Sequence, residues 1–376
     1  MARTTIEWTG RSLNTVVGCS IHSPGCAGCY AMRQAARIER MNPALEHYRG
    51  LTQPSKAGPV WTGKLAWAGD AKLTEPLRVR KPAMWFVNSM SDLFHEDMPD
   101  EWIDKTFAMM ALAPQHTFQV LTKRSARMRD YLSAIDAEFH ASPDDLNERF
   151  GEHCVQISGD PCAAGWFEDH VNWPLPNVWL GVSVEDQKRA EERIPDLLAT
   201  PAAVRWISAE PLLGPLSLAK WVAFDQPCRA CGYAGSIAGA FPRRDAQCPR
   251  CGTIHTTLDW VVAGGESGKD ARPMHPDWAR SLRDQCAASG VPYFFKQHGA
   301  YSWHEIMPGG RLMPPMPIAP FSKWNRWEGD RLRKPDPGES TNTFMAPGLL
   351  AIEVGKKAAG RLLDGVEHNA MPEARR

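Results

Sequence analysis

Six short runs along the chain are almost continuously apolar: Met84–Val87, Thr117–Leu121, Val178–Val182, Val204–Ile207, Trp260–Ala263 and Pro292–Phe295. Runs of this length, with little polar alternation, fit strands covered on both faces, as in a parallel sheet. Between them, apolar residues recur at helical spacing over 28–41, 100–113, 124–136, 186–199 and 277–290. Asp100 and Asp277 stand where helix N-caps are expected, and Gly290 stands where a helix stops. Strands alternating with helices predict βα units around a parallel sheet.

Polar or small residues follow nearly every run. Val87 leads into Asn88-Ser89, Leu121 into Thr122-Lys123-Arg124, and Val182 into Ser183-Val184-Glu185-Asp186. Ile207 leads into Ser208-Ala209-Glu210, Ala263 into Gly264-Gly265-Glu266, and Phe295 into Lys296-Gln297-His298. In barrels and open α/β sheets the working groups sit at the C-terminal strand ends. The expected fold is therefore α/β, a full or partial (β/α) TIM-type barrel over residues 1–300 with these ends at one mouth. Residues 301–376 hold Trp303, Trp324 and Trp327 amid many Pro and Gly, and read as an irregular C-terminal extension. Within it, Arg331–Ser340 reads as a flexible loop.

Composition adds exclusions. Lys plus Arg and Asp plus Glu both number 43, so net charge argues neither for nor against a polyanionic partner. No apolar run reaches the ~18–20 residues needed to span a bilayer. Met1–Gly10 is polar and shows no signal-peptide core, so a cytoplasmic protein with no membrane partner is expected. Fifteen Trp suit large cavities or stacking surfaces. Of ten Cys, seven fall in two tight clusters, which reads as metal ligation rather than disulfides. The isolated Cys154, Cys162 and Cys286 read as packing residues.

The first cluster is Cys19, Cys26 and Cys29, on a loop of Gly, Pro and Ser just ahead of the first helical pattern. Three thiolates can hold three irons of a [4Fe–4S] cluster and leave the fourth open. A zinc site completed by His22 and simple burial of small residues are the alternatives. Tyr30, directly after the last Cys, can pack beside a cluster or substrate. A cysteine loop opening on the barrel mouth favours the iron–sulfur reading.

The second cluster is Cys228-x2-Cys231 and Cys248-x2-Cys251, with Gly232 and Gly252 after each second Cys. This is the spacing of a four-thiolate zinc ribbon, here inserted at 224–257, with rubredoxin-like iron the minor alternative. The ribbon clips a long insertion, or it touches nucleic acid through Arg229, Arg243, Arg244 and Arg250.

The cysteine loop resembles that of radical S-adenosylmethionine (SAM) enzymes, which usually read Cys-x3-Cys-x2-Cys. Here Cys26-x2-Cys29 is kept, but six residues separate Cys19 from Cys26. With that gap, the chain looks closer to a phage and bacterial family of three-cysteine-motif proteins of unknown function. The likeness extends to Asn88–Phe94, Gly181–Glu185, Ala209–Leu212, Gly264–Gly268 and a short tail near Gly355–Pro372.

The resemblance implies a partial barrel, a [4Fe–4S] cluster, SAM as cofactor, an electron donor, and chemistry through a 5′-deoxyadenosyl radical. Gly264-Gly265-Glu266 resembles the Gly-Gly-Glu element that contacts SAM, although it follows a late strand. Asn88, Ser91 and Asp92 stand where that element usually lies, and Ser183, Glu185 and Glu210 complete the mouth. Lys123, Glu210 and Lys296 are the catalytic candidates, with His298 a further proton donor. Each lone carboxylate has a plainer reading as a strand-end hydrogen bond or helix cap. Lys123, Arg124, Arg127 and Arg129 form a phosphate-contacting face or a solvated helix start.

The expected function is a radical SAM enzyme acting on a nucleic-acid base or nucleotide. A metal-stapled nucleic-acid-binding protein is the alternative. A zinc hydrolase or nuclease comes third, disfavoured because no H-E-x-x-H motif occurs.

Overall fold

The computed structural model describes residues 4, 6–222, 245–248, 250–251, 254–268, 270–306, 312–313, 324–328, 331–334, 336 and 348–373. Its main element is a seven-stranded parallel sheet, curled as a half-barrel. The strands are β1 (Arg11–Leu13), β2 (Met84–Val87), β3 (Thr117–Thr122), β4 (Val178–Ser183), β5 (Val204–Ala209), β6 (Trp260–Gly264) and β7 (Tyr293–Gln297). They lie side by side in chain order. That is the order of a β/α barrel rather than the reversing order of a doubly wound sheet.

Helices α1 (Tyr30–Met41), α2 (Asp100–Ala111), α3 (Ser125–Ala141), α4 (Pro143–Ser158), α5 (Ala163–His170), α6 (Gln187–Ala199) and α7 (Pro276–Ser289) occupy the connections. Six strands and five helices fall where the apolar patterns place them. Strand β1 is not among those runs; it is short and opens on half-buried Arg11 and Ser12. Helices α4 and α5 add an antiparallel layer in the β3–β4 connection.

Two helix starts differ from expectation. Asp100 is the first residue of α2, behind Pro99, and gives no cap bond. Helix α7 is capped by His275, whose Nδ1 accepts from the Asp277 amide at 3.1 Å. Asp277 instead pairs with Arg280 at 2.7 Å. Gly290 ends α7 in the left-handed conformation, φ 62°, as its position predicts.

Alternation along the strands sorts the sheet into two faces. The helix-covered face joins Trp85, Val87, Phe118, Val120, Leu180, Val182, Ile207, Val261 and Phe295 to the main core. The concave face carries Phe86, Trp179, Val204, Trp206, Trp260, Val262 and Phe294, closed by Trp8. The indoles of Trp8, Trp206 and Trp260 meet at 5.1 and 5.3 Å between ring centroids. Gly181 is required here, because a Cβ would overlap the Trp206 indole. The half-barrel thus has a packed aromatic floor.

The C-terminal expectation is corrected. Residues expected to be irregular form a five-stranded sheet in the order Leu312–Met313, Tyr301–Ile306, Gly348–Glu353, Trp324–Glu328 and Arg331–Arg333. All its pairings are antiparallel. Arg331–Arg333, expected in a flexible loop, is its edge strand. The tail then returns to the main sheet, where the Phe295 amide donates to the His368 carbonyl and Trp260 Nε1 to that of Ala370, both at 2.9 Å.

In the β5–β6 insertion, Asp245–Gln247 and Ile254–Thr256 form an antiparallel hairpin. Cys248, buried, and Cys251, exposed, lie in its turn with exposed Arg250. Cys228, Cys231, Arg229, Arg243 and Arg244 lie outside the described residues. Of the isolated thiols, Cys154 and Cys286 are buried as expected, whereas Cys162 is exposed. Among the described residues, no helix is long and apolar enough to cross a membrane.

Candidate functional site

A cavity of ≈ 340 Å³ opens above the aromatic floor, at the C-terminal strand ends. Cys19, Cys26 and Cys29 line it, and none of the three is in a disulfide. The loop reaches the mouth because β1 delivers the chain there. It then makes a short turn, with Cys26 donating to the Ser23 carbonyl and Cys29 to that of Cys26, before α1 begins. Tyr30, exposed at the rim, donates to the Ser89 carbonyl at 2.9 Å.

Three acid–base pairs, two of them buried and the third half-exposed at Arg272, hold this loop from below, one at each of three points. The first is Arg124, just past β3. Its Nη1 lies 3.6 Å from Cys19 Sγ and 3.2 Å from Asp92 Oδ2, and its Nη2 donates to Ser20 Oγ at 2.6 Å. Asp92 is fully used, since Oδ1 accepts from Thr122 Oγ1 at 2.6 Å and Phe94 N, and Oδ2 from Lys123 N. The second is Glu185, past β4 and wholly buried. Its Oε1 accepts from the Gly25 amide at 3.2 Å and its Oε2 pairs with Arg193 at 3.0 Å. The third is Glu266, past β6, held by Arg272 through bonds of 2.6 and 2.8 Å. Its carboxylate lies against Gly28, where any Cβ would overlap it.

Electrostatics follow from this burial. Desolvation raises the Cys19 thiol to about 12, with Asp92 adding to the rise and Arg124 opposing it. Burial likewise raises Cys29. Both are protonated in the bare protein, and a thiophilic metal would displace those protons on binding. Burial alone would raise the Glu185 carboxyl. Lys123, Arg193, Ser23 and the Gly25 amide outweigh it and hold the group below its ordinary value.

The structure brings most of the expected site residues to the cavity: Asn88, Ser91, Asp92, Lys123, Ser183, Glu210, Gly265, Glu266 and Lys296 all line it. Glu185 and Gly264 do not, and Glu185 sits behind the cysteine loop. Asp92, Glu185 and Glu266 are engaged with guanidinium groups, so they serve the loop rather than present free carboxylates. Gly265 packs against the His298–Gly299 backbone, which leaves no room for a side chain. Glu210 and Lys296 pair at 2.6 Å at the mouth. His298 turns away to the Leu362 carbonyl at 2.9 Å.

His22 does not join the thiols. It is exposed, absent from the cavity wall, and 3.6 Å from Glu96. Among the described residues, no group of three or more His, Cys, Asp or Glu is arranged to hold a metal ion.

The run Lys123–Arg129, read as a phosphate-contacting face or a solvated helix start, has its three arginines paired within the fold. Arg124 is buried and paired. Arg127 donates to the carbonyls of His95 and Met98 and pairs with Asp100 at 2.9 Å. Arg129 pairs with Asp130 and Asp196. Only Lys123 of that run has an ammonium that makes no hydrogen bond or ion pair with a described residue.

Sequence reasoning did not find Arg193 or Arg272 at this site, and it gave Ser208, which lines the cavity, no role of its own. Arg193 and Arg272 follow their carboxylates by eight and six residues, a spacing with no signature. Ser208 lay in the β5 end already noted for Glu210.

The family described as "Protein of unknown function (DUF5131)" matches residues 3–372. No curated protein and no solved structure matches the chain.

Proposed function

We propose that this chain, which belongs to the DUF5131 family, is an iron–sulfur enzyme of radical SAM type acting on a nucleotide or nucleic-acid base. One observation carries the reading. Three disulfide-free thiols from one loop line the same cavity at the C-terminal mouth of a parallel half-barrel. The donor set suits the group in its chemistry: it is all thiol, and among the described residues no fourth side-chain ligand stands with it, although the three thiols of the bare chain are not drawn together as a metal-holding group. A structural zinc site would close its fourth position, whereas a reactive cluster leaves one iron for a ligand.

Cys19, Cys26 and Cys29 would hold the [4Fe–4S] cluster. When bound, it supplies one-electron reductive cleavage of the SAM sulfonium, with the electron drawn from a separate donor. The remaining roles belong to the chain itself. Arg124, Glu185 and Glu266 fix the cysteine loop against three strand ends. Asn88, Ser91 and Ser183 offer polar contacts to SAM or substrate, and Gly265 lets the β6 end pack closely against the His298–Gly299 backbone. Lys123 offers a positive charge. The Glu210–Lys296 pair places a carboxylate and an ammonium where a proton can be held or moved at Glu210 Oε1. The aromatic floor keeps water from entering from below.

A separate site is proposed for zinc. Cys248 and Cys251 sit in the turn of an antiparallel hairpin, the setting of half a four-thiolate knuckle. Cys228 and Cys231 would complete it and clip the insertion.

The test is anaerobic reconstitution with iron and sulfide, followed by EPR with and without SAM, beside a Cys26→Ala control. The expected result is a [4Fe–4S]⁺ signal that shifts with SAM, with 5′-deoxyadenosine released under dithionite and both absent in the variant. Zinc at both cysteine clusters, with no cluster signal and no SAM cleavage, overturns the proposal. The metal-stapled binding protein would then stand in its place.

A further inference from the structure

Charge pairing around the cavity is uneven. Four cationic side chains line it: Lys123, Arg124, Lys296 and Lys356. Three have carboxylate partners: Arg124 with Asp92 and Glu96, Lys296 with Glu210, and Lys356 with Glu7 at 2.7 Å. Lys123 has none among the described residues. Glu185, a nearby acid that acts on it through space, is already matched by Arg193.

A second observation lies on the neighbouring strand. Asn88 is 3% exposed and lines the cavity, yet its Nδ2 has no hydrogen-bond partner. Its Oδ1 is fully occupied by the amides of Thr15 and Val16 and by Thr15 Oγ1. The amide is therefore held with its two N–H donors unused. Ser91 Oγ, also at the cavity, is likewise buried and unpartnered. A buried donor left unmade is costly, and here two belong to residues that share the cavity wall with a free ammonium.

The strand ends bring these groups together. Val87 of β2 pairs with Val120 of β3, and Asn88 follows Val87 at once in the left-handed conformation, φ 57°. Lys123 is the first residue past the end of β3, and both line the cavity. Donors and positive charge gather at the β2–β3 ends, while on β7 the unpartnered atom of a cavity-lining residue, Gln297 Oε1, is an acceptor.

We infer that Lys123, Asn88 Nδ2 and Ser91 Oγ form an oxyanion seat for the phosphate of a free mononucleotide, which is the substrate taken into this mouth. Three features favour a free nucleotide over a polymer. The cavity is of small-molecule size. Trp8, Trp61 and Phe86 line it and give a ring a surface to lie against. The arginines beyond Lys123 are spent on internal partners, whereas a polymer needs several phosphate contacts. The inference rests on the mouth being a substrate site, as proposed above.

The test uses the full chain, first without a cluster and then reconstituted. Isothermal titration compares AMP, GMP, CMP and UMP with their nucleosides, inorganic phosphate, SAM and a 20-nucleotide single strand. At least one nucleotide should bind about tenfold or more tightly than its nucleoside, the worth of one charge-assisted contact. Lys123→Ala should erase that ratio, Lys123→Arg should largely keep it, and SAM binding should not change. Nucleotide and nucleoside binding alike, or neither binding at millimolar concentration, overturns the seat. So does a Lys123→Ala loss confined to SAM, which would give the seat to the cofactor's carboxylate. Tighter binding of the single strand, lost in Lys123→Ala, overturns the free-nucleotide assignment. Cluster EPR is read separately, so loss of the iron–sulfur reading and loss of the seat are distinct results.

Discussion

The floor and the mouth of the half-barrel are built on the same strands but by opposite means. At the floor, Trp8, Trp179, Trp206 and Trp260 fill the concave side by apolar contact, with no charge among them. A few residues further along the same strands, the mouth is held by Asp92–Arg124, Glu185–Arg193 and Glu266–Arg272. Apolar burial stabilises directly, at about 25 cal/mol per Å². Buried ion pairs at best roughly offset their own desolvation. A chain needing only a stable mouth would do as well with Leu and Met there. What the pairs add is direction: each carboxylate or guanidinium reaches a defined atom of the cysteine loop, namely Cys19 Sγ, the Gly25 amide or the Gly28 surface. The floor supplies stability and the mouth supplies position.

Substitution should separate the two. The largest effect is expected at the floor. Trp206→Ala leaves a void that surrounding rings cannot fill, and costs about 3–5 kcal/mol in urea unfolding. If the variant folds at low temperature, its iron uptake should match wild type, since no loop contact is touched.

Next is Glu185→Gln. The amide can still accept from Gly25, but Arg193 loses its counter-charge, so the cost is about 2–3 kcal/mol, below that of removing a partner outright. Unlike the floor variant, it should also lose iron on reconstitution, because the loop loses its middle anchor. Its penalty should depend on pH. The Glu185 carboxyl is held below its ordinary value in the fold, so its contribution is full above the unfolded pKa of about 4.3 and is lost as pH falls through the folded one. The gap between wild type and variant should therefore be widest near neutral pH and close on acidification.

Gly28→Ala should be smaller, about 1–3 kcal/mol, because one methyl must displace the Glu266 carboxylate from its Arg272 partner. Unfolding reads the stability cost, and iron content reads the loop. A full iron load would show that the third anchor is dispensable.

Much of the fold was legible because strands buried on both faces leave apolar runs that need no partner to be recognised. The cysteine loop and the strand-end polar residues were legible for the same reason, as local spacing. What was hidden is relational. Whether a carboxylate is free or consumed depends on partners far away in sequence: Glu185 lies 160 residues from Gly25, and Arg124 lies 105 from Cys19. Asp92 and Glu266 therefore read as ligand contacts and prove to be struts, and the run Arg124–Arg129 reads as a basic face and proves to be paired. The C-terminal sheet was hidden for another reason. Trp324–Glu328 is polar at three of its five positions and Arg331–Arg333 at two of three, so they lack the continuous apolar signal of the main sheet and gain strand character only through antiparallel pairing.

The smallest effect on stability marks the sharpest difference within the mouth. Lys123 shares its location with the three clamps, but its ammonium acts on Glu185 only through space, and its one bond here is from the backbone amide to Asp92 Oδ2 at 3.0 Å. Lys123→Ala keeps that amide and removes an ammonium with no described partner, so unfolding should shift by no more than about 0.5 kcal/mol. Iron uptake should be unchanged. A loss above 1 kcal/mol, on the scale of a buried partner removed, would mean that Lys123 is a fourth strut of the loop and that the mouth has no charge left over for a ligand. A neutral result in unfolding, together with lost nucleotide binding, would make Lys123 a residue that the fold tolerates and the ligand requires.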